Sequence, residues 1–262
     1  MIFEYSFMRR AFAVGILLAI IVPCIGIIVV LKRLSMIGDA LSHSSLAGIA
    51  AGLVFNINPV LGALIASLIS AFSIEFIRKK IPKFSEMSIA IIMSAGVGLA
   101  GVLSGFVKDS AAFNSFLFGS IVAISDFELY MVLGISIIVV FAFIFLYKEL
   151  MYIAFDEQCA KLAGIPVRTV NFIFTILTAF TVSIAARTVG ALIVSSMMVV
   201  PVACSMRYAK SYKQTVLLSI LFAVIFTIIG LTLSYYVGLK PGGTIVLSGV
   251  IFLITSMLIK KN

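Results

Sequence analysis

The sequence predicts an all-α membrane protein: a polytopic bundle of about eight or nine spanning helices, forming one transmembrane domain over residues 1–262. Three observations predict it. Of the 262 residues, 63% are apolar and 11% charged, against about 45–50% and about 25% in an ordinary soluble domain. Mean hydropathy is +1.27. The apolar residues come in long uncharged runs without the two-residue alternation of a barrel strand. In lipid a helix satisfies its own backbone polar groups, so such runs read as spanning helices. The composition argues against a soluble enzyme, a disordered chain or a disulfide-stapled secreted domain.

The elements follow in order. Arg10 and Lys32 bracket the first run, Ala11–Leu31, which is too long for a signal peptide and reads as a retained span. Met36–Phe55 is the second span and Pro59–Ile77 the third. Met87–Val107 is the fourth, after the basic cluster Arg78, Lys79, Lys80 and Lys83. Ala111–Ser125 is too short to cross comfortably and reads as a re-entrant or interfacial segment. Phe127–Tyr147, Thr169–Ala186 and Val189–Met206 are the next spans. Pro201 interrupts the last of these and frees a carbonyl one turn earlier, giving a kink or a hinge. Thr215–Val237 and Thr244–Ile259 complete nine, separated by the turn LKPGGT. That turn lacks the Lys-Ser/Thr of a phosphate loop, and no Walker sequence occurs in the chain.

Lys and Arg favour cytoplasmic loops. Nine alternating spans with the N-terminus outside put 14 of the 19 basic residues on the cytoplasmic side. The opposite orientation inverts that ratio, so a cytoplasmic C-terminus is expected. The net charge of +9 then reflects loops beside anionic lipid, with no nucleic-acid partner.

The loop between Tyr147 and Thr169 is long for a bundle connection. Phe155, Cys159, Leu162 and Ala163 recur at helical spacing. Asp156 and Glu157 suit a first turn, Lys161 a last turn, and Gly164 before Pro166 a stop. A short amphipathic helix on the cytoplasmic face is expected. Its residues leave two readings open, a helix lying on lipid and a docking surface for a partner.

Chemistry-bearing residues are few. Cys24, Cys159 and Cys204 follow no metal or redox spacing, and the two inside apolar runs read as packing residues. Asp39 and His43 are four residues apart in the second span, so they share a helix face, and His43 is the only histidine. A carboxylate and an imidazole together form a plausible pair of ligands for a divalent metal. The competing reading makes Asp39 a helix cap and His43 a partner of a neighbouring helix. Small residues beside them (Ala40, Ser44, Gly48, Gly52) suit close helix packing or room beside a pathway, and Gly101-x-x-x-Gly105 suits close packing as well.

Met36–Ala50 (MIGDALSHSSLAGIA), Ser115–Ser125 (SFLFGSIVAIS), Phe155–Val167 (FDEQCAKLAGIPV), Val189–Ser205 (VGALIVSSMMVVPVACS) and Gly238–Leu247 (GLKPGGTIVL) carry a resemblance that covers nearly the whole chain. The sequence resembles the membrane permease subunit of bacterial zinc/manganese/iron ATP-binding-cassette importers. The resemblance implies a homodimer in the cell membrane, a cytoplasmic ATPase as a separate chain, and an extracellular or periplasmic metal-binding protein. It implies that Asp39 and His43 contact the ion. It also implies that Phe155, Asp156, Glu157, Leu162 and Gly164 belong to a coupling helix that docks into the ATPase. Zn2+ or Mn2+ would be cargo, with no permanently bound cofactor, and the SFLFGSIVAIS stretch looks closer to zinc-type members. An ion-coupled secondary transporter or channel is the alternative. It would need no docking helix, and stimulation of a co-purified ATPase separates the two. An intramembrane enzyme would need a fuller catalytic set than one histidine.

Overall fold

The computed structural model describes residues 4–81, 85–107, 113, 116, 117, 119 and 124–259, and within them the long apolar runs are all helical, with no strand. The helices are α1 (Ser6–Leu31), α2 (Ile37–Val54), α3 (Pro59–Lys80), α4 (Ser85–Ser104), α5 (Asp126–Phe145), α6 (Tyr147–Phe155), α7 (Glu157–Leu162), α8 (Val167–Ala185), α9 (Val194–Met206), α10 (Tyr212–Val237) and α11 (Pro241–Ile259). Among the described residues seven are long and apolar enough to cross a membrane by themselves: α1, α3, α4, α5, α8 with its C-terminal extension, α10 and α11. The sequence predicts two more. α2 falls short because Asp39, His43 and three serines dilute its 18 residues. α9 falls short because it has only 13 residues.

α9 is short because the backbone ahead of it is irregular. α8 runs into a π-helical turn, Ala186–Gly190, and Gly190 adopts φ +111. The next amides leave the helical ladder: Ala191 N–H donates to the Phe116 carbonyl at 3.3 Å and Leu192 N–H to that of Leu117 at 3.5 Å. The expected re-entrant or interfacial segment, Ala111–Ser125, lies mostly outside the described residues. Of its described residues, Phe116 and Ile124 are buried. Gly119, at φ +74, lies so close to the Val189 backbone that no Cβ would fit.

Past Arg10, α1 is apolar all round, which is the pattern of a buried helix, and most of its residues from Ala11 to Val29 are buried in the core. Against it pack α5, α8, α9 and α10. α2 is wedged between three neighbours by small residues. Gly48 faces Gly62 of α3, Ser44 faces Gly96 of α4, and Gly38 faces Ser195 and Met198 of α9. The second small-residue pair behaves differently from expectation. Among the described residues nothing lies within 4 Å of a Cβ built on Gly101, and at Gly105 only the carbonyl of Val102, three residues earlier, comes near. A Gly-x-x-x-Gly spacing marks a smooth surface, and whether a helix covers it is decided elsewhere in the chain.

Charges segregate to the two ends of the bundle. Arg10, near the start of α1, pairs with Asp126 at 2.8 Å, and Arg187 pairs with Glu128 at 2.7 Å. Lys32, just past the other end of α1, meets Asn171 of α8. Around it gather the Glu75 pairs with Arg78 and Lys79 and the Glu157 pair with Lys161. The turn expected over LKPGGT is shorter than that motif: Gly238, left-handed at φ +72, ends α10, only Leu239 and Lys240 of the motif are non-helical, and Pro241 already opens α11, since proline suits a first helical turn.

Candidate functional site

Asp39 lies in the first turn of α2 and His43 one turn later, on the same face. From Ile37 to Ala50 these two are the only residues that are not buried. The rest of the helix is covered, in part through the close approaches of α3, α4 and α9. The helix is capped at Met36 with no side-chain bond, so Asp39 does not serve as its N-cap. Among the described residues neither Asp39 nor His43 has a hydrogen-bond or ion-pair partner. The cap and the interhelical bond that compete with metal ligation therefore have no counterpart in the geometry. Nor do three or more His, Cys, Asp or Glu side chains come together anywhere among the described residues. One chain thus offers one carboxylate and one imidazole, whereas zinc usually takes four ligands.

The expected amphipathic helix is a pair of helices broken at Asp156. α6 continues almost directly from α5 and ends at Phe155, and Asp156 turns extended at φ -153. Its Oδ1 accepts the Gln158 amide at 2.8 Å and the Cys159 amide at 3.0 Å, which makes it the N-cap of α7. An aspartate favours this position because its carboxylate satisfies amides that no helical carbonyl can reach. Those bonds from Cys159 and Gln158 hold its carboxyl below the usual carboxylate range. Glu157 is also held low: partial burial pushes it up, but the Lys161 hydrogen bond and the charges of Lys32, Lys161 and Arg78 prevail. Gly164 takes φ +80 and ends the segment as expected. Ala160 is buried against the bundle, while Phe155 is 67% and Leu162 89% exposed. Leu162 faces away from its own fold, and Phe155, though largely exposed, meets the Tyr212 ring edge-on at 6.3 Å.

Beside α7 opens a recess of about 640 Å³, lined by Glu75, Arg78 and Lys79 of α3, Glu157 and Lys161 of α7, and Val167, Arg168 and Asn171 of α8. Two polar anchors near the helix ends matched no motif. Lys32 Nζ donates to Asn171 Oδ1 at 2.9 Å. Arg187 donates from Nε to Glu128 and lies 4.3 Å from the centre of the Phe116 ring. The signal in each case was a lone polar or charged residue in or beside an apolar run, which in a membrane implies a partner.

The model of the ABC 3 transport family matches residues 4–260. The chain belongs to that family. Membership makes it the membrane permease subunit of a transporter, with ATP hydrolysis on a separate chain, and not an enzyme. Among its relatives, the manganese import system permease protein ScaB of Streptococcus parasanguinis is 28% identical over 98% of this chain and 91% of its own length. The high-affinity zinc uptake system membrane protein ZnuB of Haemophilus influenzae is 28% identical over 97% of both. The solved structure of PsaBC from Streptococcus pneumoniae in complex with Fab contains a chain that superposes with a TM-score of 0.87 at 27% identity, covering 98% of this chain and 92% of that one.

Proposed function

We propose that this ABC 3 family permease belongs to an ATP-driven importer of a divalent metal ion in the cell membrane. The observation that carries the reading is the Asp39–His43 strip, unpaired and partly open on a helix that is otherwise buried from Ile37 to Ala50. Relatives named for manganese and for zinc uptake support the class of cargo.

A twofold homodimer doubles whatever each chain presents. Two copies would bring two carboxylates and two imidazoles to one ion, and the charge of the carboxylates offsets that of the dication. A site of few ligands holds its ion loosely, which suits a pathway that must release it. A metal-binding protein would deliver the ion at the outer mouth. The ATPase would dock on the exposed Phe155–Leu162 side, with Asp156, Glu157 and Gly164 shaping that segment, and its closure would switch access. With α2 and α9 counted as crossing, nine spans put the N-terminus outside and the Lys32 end of the bundle in the cytoplasm. Zinc is favoured ahead of manganese on the SFLFGSIVAIS stretch. Metal content of cells lacking this chain, grown at limiting zinc and then at limiting manganese, tests that preference.

The test of the site is metal uptake into proteoliposomes, scaled to folded dimer. Asp39→Asn keeps shape but removes the charge, and His43→Ala removes the imidazole. If both groups hold one ion, the double variant is little worse than either single one, because residues that act as a unit are non-additive. Full uptake by both single variants would end the metal reading.

A further inference from the structure

The link between α1 and α2 is five residues long and tightly wound. Leu34 N–H donates to Val29 O at 2.8 Å, Arg33 N–H to Val30 O at 3.0 Å and Ile37 N–H to Leu34 O at 2.9 Å. Arg33 sits in the left-handed region at φ +57. A short, internally bonded link has little slack, so a displacement at Lys32 passes to Ile37, two residues before Asp39. On the other side, Asn171 lies in the second turn of α8 and is buried. α8 follows α7 after a four-residue link that is itself bonded, Ile165 N–H to Ala160 O at 3.1 Å. The Lys32–Asn171 hydrogen bond of 2.9 Å therefore joins the docking segment to the start of the helix that carries Asp39 and His43.

The surroundings tie this contact to several elements at once. Lys32 and Asn171 line a narrow cleft with Leu34, Ile37 and Leu41 on one wall and Phe174 and Thr178 on another. Glu157 on α7 and Glu75 and Arg78 on α3 all act electrostatically on Lys32, so a shift of α7 changes the field at its amino group. Burial, with Arg78 acting the same way, pushes that amino group down to about 8. Among the described residues Asn171 is the partner that this amino group touches.

We propose that Lys32 is a positioning residue for transport, the contact through which the α7–α8 segment holds or releases the start of α2. This rests on the importer reading. The Lys32–Asn171 contact passes motion of the ATPase-docking segment to the metal-bearing helix without touching ion or nucleotide.

The experiment uses the full transporter, with its ATPase and metal-binding protein, in proteoliposomes. Lys32→Met keeps the apolar stem and removes the donor; Asn171→Leu removes the acceptor. In each, the ATPase should still co-purify and hydrolyse ATP, while metal ions delivered per ATP fall by about tenfold, within the usual range of coupling between sites. The double variant should be no worse than either single one, and Lys32→Arg should recover part of the loss. A merely structural contact would lower folded yield and leave the metal-to-ATP ratio unchanged in the protein that folds. An unchanged ratio in both single variants overturns the proposal, and so does failure of both to fold. Failure of the importer reading looks different: the unsubstituted transporter would then show no metal uptake driven by ATP.

Discussion

Gly48→Ala tests how tightly the helix that carries Asp39 and His43 is held. A Cβ at position 48 would overlap the Gly62 carbonyl oxygen of α3 and approach the Gly62 carbonyl carbon at 2.6 Å and Ala66 Cβ at 2.7 Å. Ordinary contact begins near 3.4 Å, so α2 and α3 must separate by roughly 1 Å, as close-packed interiors leave no void to absorb the methyl. The overlap is with backbone, which has no rotamer to change. Overpacking of this kind typically costs about 1–3 kcal/mol, offset by up to about 1 kcal/mol because alanine is the better helix former. The same separation strains the Ser67 hydroxyl bond to the Leu41 carbonyl, 3.3 Å across the same pair of helices. The net expectation is a loss of about 1–2 kcal/mol, read as a lower thermal midpoint of the purified protein. Gly101→Ala is the matched control. Among the described residues its Cβ meets nothing within 4 Å, so only the propensity gain remains and the midpoint should hold or rise. A Gly48→Ala protein as stable as the unsubstituted one, beside a destabilised Gly101→Ala protein, would refute the packing argument.

Three further outcomes are expected. Arg187→Met should destabilise by about 2–3 kcal/mol, somewhat less than breaking a fully buried pair, because it strands Glu128; the double variant Arg187→Met with Glu128→Leu should regain much of the loss in thermal unfolding. Asp156 caps α7 through a carboxylate whose pKa is depressed on folding. Its stabilisation is therefore complete above the unfolded value of 3.8 and is lost as pH falls through the folded one. Hydrogen exchange at the Gln158 and Cys159 amides should show protection persisting through the ordinary carboxylate range and failing only below it. Leu162→Asp places a charge on the outward side of α7 and should uncouple ATP hydrolysis from transport while the permease still assembles; normal transport by that variant would remove the docking assignment.

Several features were legible in the residues because they depend on local periodicity. Uncharged runs of spanning length became helices, since a helix alone can satisfy its backbone in lipid. The four-residue spacing of Asp39 and His43 placed them on one face before any neighbour was known. Gly164 ended its segment, as a residue without a Cβ at φ +80 should. Asp156 suits a first turn by its sequence, whereas in the structure it is the cap itself. The pattern D-E-Q-C permits both, and the choice depends on α6 having already ended at Phe155.

What the sequence determined by itself is an all-helical membrane chain, its approximate helices and the identity of its one acid–histidine pair. These follow from hydrophobicity and helical period, which act over a few neighbouring residues. Only the tertiary structure decided which small residues touch a neighbour, with Gly48 covered and Gly101 open. It alone decided that Asp39 and His43 are the uncovered strip of a buried helix, and that Lys32 finds Asn171 139 residues away. Burial and partnership are properties of helices packed side by side, and no local pattern records which helix lies opposite.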